Sequence, residues 1–206
     1  MPTGLPQPAF VLIHSQMGEN IGSAARGMWN FGLDRMRLVA PRDGWPNPRA
    51  VALASGAGRL LDEAQVYPDT AGSVADCSYV YATTARPRDL TKLVLTPEEA
   101  MRDCAQRVAA GERVAVLFGP ERTGMENADI ARAQAIVSVP VNPQFPSLNL
   151  ASCVLLLAYE WRRATDAVTP SRVEMAHAEW AVGRDVEALA AHYEMQLDEA
   201  GFFFPP

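Results

Sequence analysis

Short, unbroken apolar runs decide what this chain can become. AFVLIH (9–14), MRLVA (36–40), SYVYATT (78–84), RVAVLFG (113–119) and AIVSVP (135–140) are continuous in hydrophobicity rather than alternating. A strand with one wet face alternates; a strand covered on both faces does not. Helical stretches separate the runs, from Asn20 to about Phe31 and near 48–64, 97–110 and 126–132. This alternation predicts an α/β protein with a parallel sheet and helices on both faces. Ligands on such sheets bind beyond the carboxyl ends of the strands, so the segments after each run are where chemistry is expected.

From Leu148 a further helix runs to about Thr165, with Leu150, Val154, Leu157 and Trp161 on one apolar face. DAVTPS (166–171) reads as a linker, and Val186, Leu189, Tyr193 and Leu197 mark the apolar side of a last helix. The expected organisation is one domain over 1–165 and a helical extension over 166–206. The closing GFFFPP would expose three phenylalanines, so either it docks on a partner or the natural chain continues. No apolar run approaches the roughly 20 residues of a membrane span, and the first residues lack the pattern of a secretory signal. Cys77, Cys104 and Cys153 form no CxxC pair. They predict buried thiols in a cytoplasmic protein, with neither a metal site nor a disulfide framework.

A net charge of −6 argues, taken alone, against an RNA-binding protein. Its distribution points the other way. Residues 1–60 set six arginines against Glu19, Asp34 and Asp43, whereas 166–206 hold Arg172 and Arg184 against eight acids. Arginine suits planar phosphate contacts better than lysine. A genome that favours arginine explains the same bias.

Four segments follow the strands. In GENIGSAARGMWNFGL (18–33), Asn20 is a candidate N-cap and Arg26 the segment's only cation. Gly22, Ser23, Ala24, Ala25 and Gly27 make a helix smooth enough for a backbone or a ligand to approach. No Gly-Lys-Ser/Thr follows, which excludes a P-loop, and no dinucleotide fingerprint is present. LFGPERTGM (117–125) places Gly119, Pro120 and Gly124 around Glu121 and Arg122, either as a ligand-contacting turn or as an ordinary strand–helix turn. SVPVNPQFPSLNLASC (138–153) is stiffened by prolines, with Ser147 or Asn149 as the cap of the next helix. ATTARPR (82–88) puts threonine hydroxyls and two arginines at a strand end, where a polar ligand can be held.

Taken together these segments resemble the SPOUT (SpoU-type) RNA 2'-O-methyltransferases. The first motif of that superfamily, Asn-x-Gly-x-x-x-Arg, is met by Asn20, Gly22 and Arg26. The second, Phe-Gly-x-Glu-x-x-Gly, is met by Phe118, Gly119, Glu121 and Gly124, and the third, Ser-Leu-Asn-x-(small), by Ser147, Leu148, Asn149 and Ala151. The TrmJ-type branch, tRNA cytidine/uridine-2'-O-methyltransferases, adds a string matched by Asn142, Pro143, Phe145 and Ser147 to Leu150, and a turn matched by Thr83 to Arg86. The similarity spans about residues 9–165 in order and spacing.

The resemblance implies a sheet with a deep trefoil knot at its carboxyl end, a homodimer, and S-adenosyl-L-methionine (SAM) as methyl donor, with no metal. It implies SAM contacts from Thr83, Thr84, Ala85, Gly119, Val139, Ser147 and Leu148, and catalytic roles for Arg26, Asn20, Ser147 and Asn149. Arg26, Arg86 and Arg88, with other arginines of the first third, are expected to bind tRNA. The branch implies methylation of cytidine or uridine at position 32 of the anticodon loop; the wobble nucleotide, rRNA and a non-catalytic RNA-binding role are the alternatives. Proteins of this branch continue with more basic helical sequence, so the extension is expected to be truncated at Pro206.

SAM carries an excellent leaving group, so methyl transfer needs in-line placement of a ribose 2'-hydroxyl and help with its proton. The family assigns that help to the arginine matched by Arg26. A guanidinium is in effect always protonated in proteins. Anchoring of a phosphate and stabilisation of oxyanion charge is therefore one expectation, and proton removal by a transiently neutral Arg26 the other.

Overall fold

The computed structural model of the chain describes residues 6–84, 91–166 and 179–203. In order, the elements of the larger part are β1 (Ala9–Ile13), α1 (Gly18–Asn30), β2 (Met36–Val39), α2 (Pro48–Ala54), α3 (Gly58–Asp62), β3 (Gln65–Tyr67) and α4 (Thr70–Ser73). They continue as β4 (Tyr79–Thr83), β5 (Leu93–Leu95), α5 (Pro97–Ala109), β6 (Val114–Phe118), α6 (Asn127–Ala131), β7 (Ala135–Val137) and α7 (Leu150–Thr165). Among the described residues the strands form one seven-stranded sheet in the order β3-β2-β1-β6-β4-β7-β5. Every pairing is parallel.

The unbroken apolar runs have the cause expected of them. Along β1, Phe10 and Leu12 enter one core cluster while Ala9, Val11 and Ile13 enter another, so both sheet faces are buried. The first cluster takes in Ile21, Ala24, Ala25 and Met28 of α1, Leu60 and Leu61 of α3, Met101 and Cys104 of α5, and Val154 and Leu157 of α7. The second is smaller and is closed by Met125, Ile130 of α6, Ala133 and the half-buried Val74 and Cys77.

Several boundaries differ from the sequence reading, each for a local reason. α1 begins two residues before Asn20; its N-cap is Met17, which makes no side-chain cap bond. The helical stretch at 48–64 is two helices, because Ser55 (φ 42°) and Gly56 (φ 92°) turn the backbone left-handed between them. α7 starts at Leu150 rather than Leu148, since Asn149 caps it by accepting from Ala151 N and Ser152 N. Leu150, Val154, Leu157 and Trp161 are buried as expected. Cys104 is buried, but Cys77 and Cys153 are half-buried.

The chain divides into two compact units, Met1–Val168 and Thr169–Pro206. The described part of the second holds α8 (Gly183–Glu199). Its stripe of Val186, Leu189, Tyr193 and Leu197 is exposed, as are Phe202 and Phe203. Most of the DAVTPS segment lies outside the described residues, and Asp166 forms the C-cap of α7.

Arg37 of β2 occupies an inward position of the second sheet face, where an apolar side chain would be the rule. Its guanidinium donates to both carboxylate oxygens of Asp76 (2.6 and 2.8 Å) and to Ser73 O (2.5 Å). Its side chain is 5% exposed against 34% for Asp76. The Arg37 hydrogen bonds hold the Asp76 carboxyl well below the usual carboxylate range. Asp76→Ala would strand a buried cation and is expected to cost about 2–3 kcal/mol, under the 3–5 of a fully buried pair because Asp76 is partly solvated. Because folding lowers the Asp76 pKa, the pair stabilises the fold above about pH 4, the unfolded carboxylate value, and weakens as pH falls below it. Thermal unfolding at pH 7 and pH 3 checks this: the gap between wild type and variant should narrow at pH 3.

Candidate active site

A cleft of about 330 Å³ opens at the carboxyl ends of β4, β6 and β7. Thr83 and Thr84 follow β4, Gly119 follows β6, and Val139, Ser147 and Leu148 come from the segment after β7; all six line it. The expected cofactor residues are thus brought together, apart from Ala85, which lies outside the described residues with Arg86 and Arg88.

Each wall has a local cause. Thr83 Oγ1 donates to Leu117 O (2.9 Å) and Thr84 N to Val137 O (3.1 Å), which tie the end of β4 to both neighbouring strands. A Cβ on Gly119 would lie 2.6 Å from Met125 N, so only glycine lets the 119–125 turn fold back on itself. Gly124 takes φ 67° and donates to Pro120 O (2.9 Å), closing that turn. Cys153 lines the floor; burial pushes its thiol up to about 11 against a hydrogen bond with Thr83, so it is a neutral contact surface at physiological pH.

The three motifs converge in one chain of hydrogen bonds at the rim. Glu121 accepts from Asn20 Nδ2 (2.6 Å) and from Gln16 N (3.0 Å). Asn20 Oδ1 accepts from Asn149 Nδ2 (3.1 Å), and Asn149 Oδ1 accepts from Ala151 N (2.9 Å) and Ser152 N (3.3 Å). A carboxylate only accepts, so the Asn20 amide must turn its NH₂ to Glu121 and its oxygen to Asn149. The orientation of each amide follows from its neighbour, and the Asn20 amide is engaged at both its nitrogen and its oxygen. Within its motif Glu121 carries no signal of this role. Its function rests on a contact 101 residues away in sequence, which spacing does not carry.

Arg26 is exposed and does not line the cleft. Six residues beyond Asn20 is about 120° around a helix from it, so the two side chains leave α1 on different faces. Arg26 shares its face with Trp29, and Gly27 packs against Leu155 of α7 (Cβ position to Cδ1 3.3 Å). Ser152, Leu155, Leu156 and Tyr159 form an exposed stripe on α7. Of the other arginines of the first third, Arg37 is buried and paired, which removes it from RNA binding. Arg42, Arg49 and Arg59 pair with Asp43, Glu19 and Glu63 at the surface. Arg35 donates to Gln7 O.

Residues 7–159 match the SpoU rRNA Methylase family. A tRNA (cytidine/uridine/adenosine-2'-O-)-methyltransferase TrmJ from Pseudomonas aeruginosa (strain UCBPP-PA14) is 37% identical over 203 residues, covering 95% of this chain and 79% of that one. The crystal structure of TrmJ from Z. mobilis ZM4 superposes with a TM-score of 0.83 at 51% identity, covering 96% of this chain and 82% of the other. The SpoU methyltransferase AviRb from Streptomyces viridochromogenes, in complex with the cofactor AdoMet, shares the fold at a TM-score of 0.60 and 19% identity, over 79% of this chain and 59% of that chain.

Proposed function

The chain belongs to the SpoU methylase family, and from that premise we propose that it uses SAM to methylate a ribose 2'-hydroxyl of tRNA. The observation that carries this reading is the Glu121–Asn20–Asn149 chain, which joins the three motifs at the rim of the cleft. The cleft fits the donor in kind. Its volume lies within the range of small-molecule sites, and it pairs apolar walls with a few polar groups. Val139 and Leu148 would flank the adenine; Thr83, Thr84, Ser147 and the Gly119 backbone would hold polar edges, with Ala85 assigned by the motif alone. When bound, SAM supplies an activated methyl group.

The chain's own groups do the rest. Arg26 anchors the phosphate beside the target ribose, and its guanidinium stabilises the negative charge that develops on the ribose oxygen as the hydroxyl proton leaves to solvent. A carboxamide is neither acid nor base near neutral pH, so Asn20, held at both its nitrogen and its oxygen, positions rather than moves a proton. Asn149 holds Asn20 and caps α7. Ser147, exposed beside the cleft, is free to orient the incoming nucleotide. Arg86 and Arg88 are assigned further phosphate contacts. The exposed apolar stripe of α7 favours a homodimer. We take residues 1–165 as the catalytic domain, with the family's trefoil knot at its carboxyl end, and 166–206 as the extension. Among the described residues no helix is long and apolar enough to cross a membrane. The proposed setting is the cytoplasm.

The target assigned is position 32 of the anticodon loop. Cytidine and uridine are the bases expected, and the name of the Pseudomonas relative adds adenosine for that protein. Titration of SAM into the protein by calorimetry should show binding, and mapping of 2'-O-methyl marks after incubation with unmodified tRNA should place the mark. A chain that binds no SAM removes the enzyme reading. A mark at the wobble nucleotide or on rRNA alone moves the substrate and keeps the chemistry.

A further inference from the structure

Phe145 is 73% exposed, more than any other large apolar side chain described in the first unit. Its position is not left to chance. Phe145 N donates to Asn142 O (2.9 Å) and Gln144 N to Asn142 Oδ1 (3.0 Å), and prolines 143 and 146 bracket the turn. A backbone held in this way presents the ring at little entropic cost. The next three residues, Pro146, Ser147 and Leu148, line the cleft, so Phe145 immediately precedes its wall in the chain.

The surroundings decide what such a ring is for. Asn142, Pro143, Gln144, Pro146 and Ser147 are exposed, and none of them extends Phe145 into a broad apolar patch. The exposed apolar side chains that adjoin one another lie elsewhere, on α7 at Leu155, Leu156 and Tyr159. A lone flat ring among polar and proline residues fits one other flat ring. Unpaired nucleobases in RNA loops are bound in that way, splayed from their own stack onto an aromatic side chain.

We propose that Phe145 is the stacking platform for an unpaired base of the RNA substrate, at or beside the nucleotide that is methylated. The proposal rests on the tRNA-methyltransferase reading above. Phe145 holds the base so that the attached ribose is presented to the cleft, which makes it a positioning residue acting mainly on substrate binding.

Three variants test it. Phe145→Leu keeps apolar volume and removes the ring face; Phe145→Ala removes both; Phe145→Trp keeps a face. Methyl transfer to unmodified tRNA gives KM and kcat, calorimetry gives SAM affinity, and sedimentation gives the oligomeric state. In Leu and Ala the KM for tRNA should rise on the order of 10-fold, within the range seen when base–aromatic stacks are removed. Trp should hold KM near wild type, with kcat, SAM affinity and assembly unchanged in all three. A Leu variant as good as Trp overturns the proposal, because bulk alone would then suffice. So does a loss that tracks weaker SAM binding or dimer dissociation. A wild-type protein that binds no SAM defeats the underlying reading, and this inference with it; an active wild type with an unaffected Leu variant defeats this inference alone.

Discussion

Arg26→Ala is expected to lower methyl transfer to tRNA by on the order of 100- to 1000-fold while leaving SAM affinity unchanged. The magnitude is that of removing one charge-stabilising donor from a developing oxyanion. The unchanged SAM affinity follows from geometry, since Arg26 is exposed on α1 and does not line the cleft. Arg26→Lys separates a need for any cation from a need for the guanidinium fork: near-full activity in that variant would sink the bidentate-phosphate account. The same exposure makes a mixing experiment informative. Val139→Trp fills the cleft and should abolish SAM binding while sparing Arg26. If Arg26 serves the cleft of a second copy, mixing Arg26→Ala with Val139→Trp chains should recover activity that neither has alone. If it serves its own cleft, the mixture stays inactive. Either result identifies which subunit's arginine meets the substrate.

How much of this was legible beforehand depends on the scale of the contact. β1, β2, β4, β6 and β7 could be read because burial on both faces writes an unbroken apolar run. β3 and β5 could not. Gln65–Tyr67 and Leu93–Leu95 are three-residue edge strands, mostly exposed, and so short a segment has no period to detect. The break between α2 and α3 turns on Ser55 in a left-handed conformation, which nothing in a serine announces. The cleft residues were legible through their motifs, and six of the seven expected for the cofactor line one cavity. In the sequence Asn20 looks like a helix cap, because Asn before a helical run usually is one, yet the cap is Met17. The true partners of Asn20, Glu121 and Asn149, are brought to it only by the fold. Arg37 illustrates the opposite error. By charge it belonged to an RNA-binding set, whereas Asp76 draws it into the interior.

Gly22→Ala should destabilise the protein by about 3 kcal/mol, a fall in Tm of roughly 6–12 °C for a chain of this size. The expectation runs against helix propensity, which favours Ala over Gly by about 1 kcal/mol inside a helix. Contact geometry decides between them. A Cβ at Gly22 would lie 2.1 Å from Ala50 O and 2.9 Å from Ala50 C, both backbone atoms of α2, so no side-chain rotation relieves the clash. One helix must move, and α1 carries Asn20 before this point and Arg26 after it. Two other glycines calibrate the effect. At Gly27 the nearest atom is the flexible end of Leu155 at 3.3 Å, so Gly27→Ala should cost little. Gly58, at the start of α3, has nothing within 4 Å, and Gly58→Ala should be neutral or slightly stabilising. Thermal unfolding of the three variants in one buffer should rank them in that order. A Gly22→Ala protein as stable as Gly58→Ala would mean that α1 and α2 do not touch backbone to backbone. If the ranking holds, Gly22 is in the motif because it seats α1 closely enough for Asn20 to reach Glu121 and Asn149 together. Gly22→Ala should then lose methyl transfer even at temperatures where it remains folded.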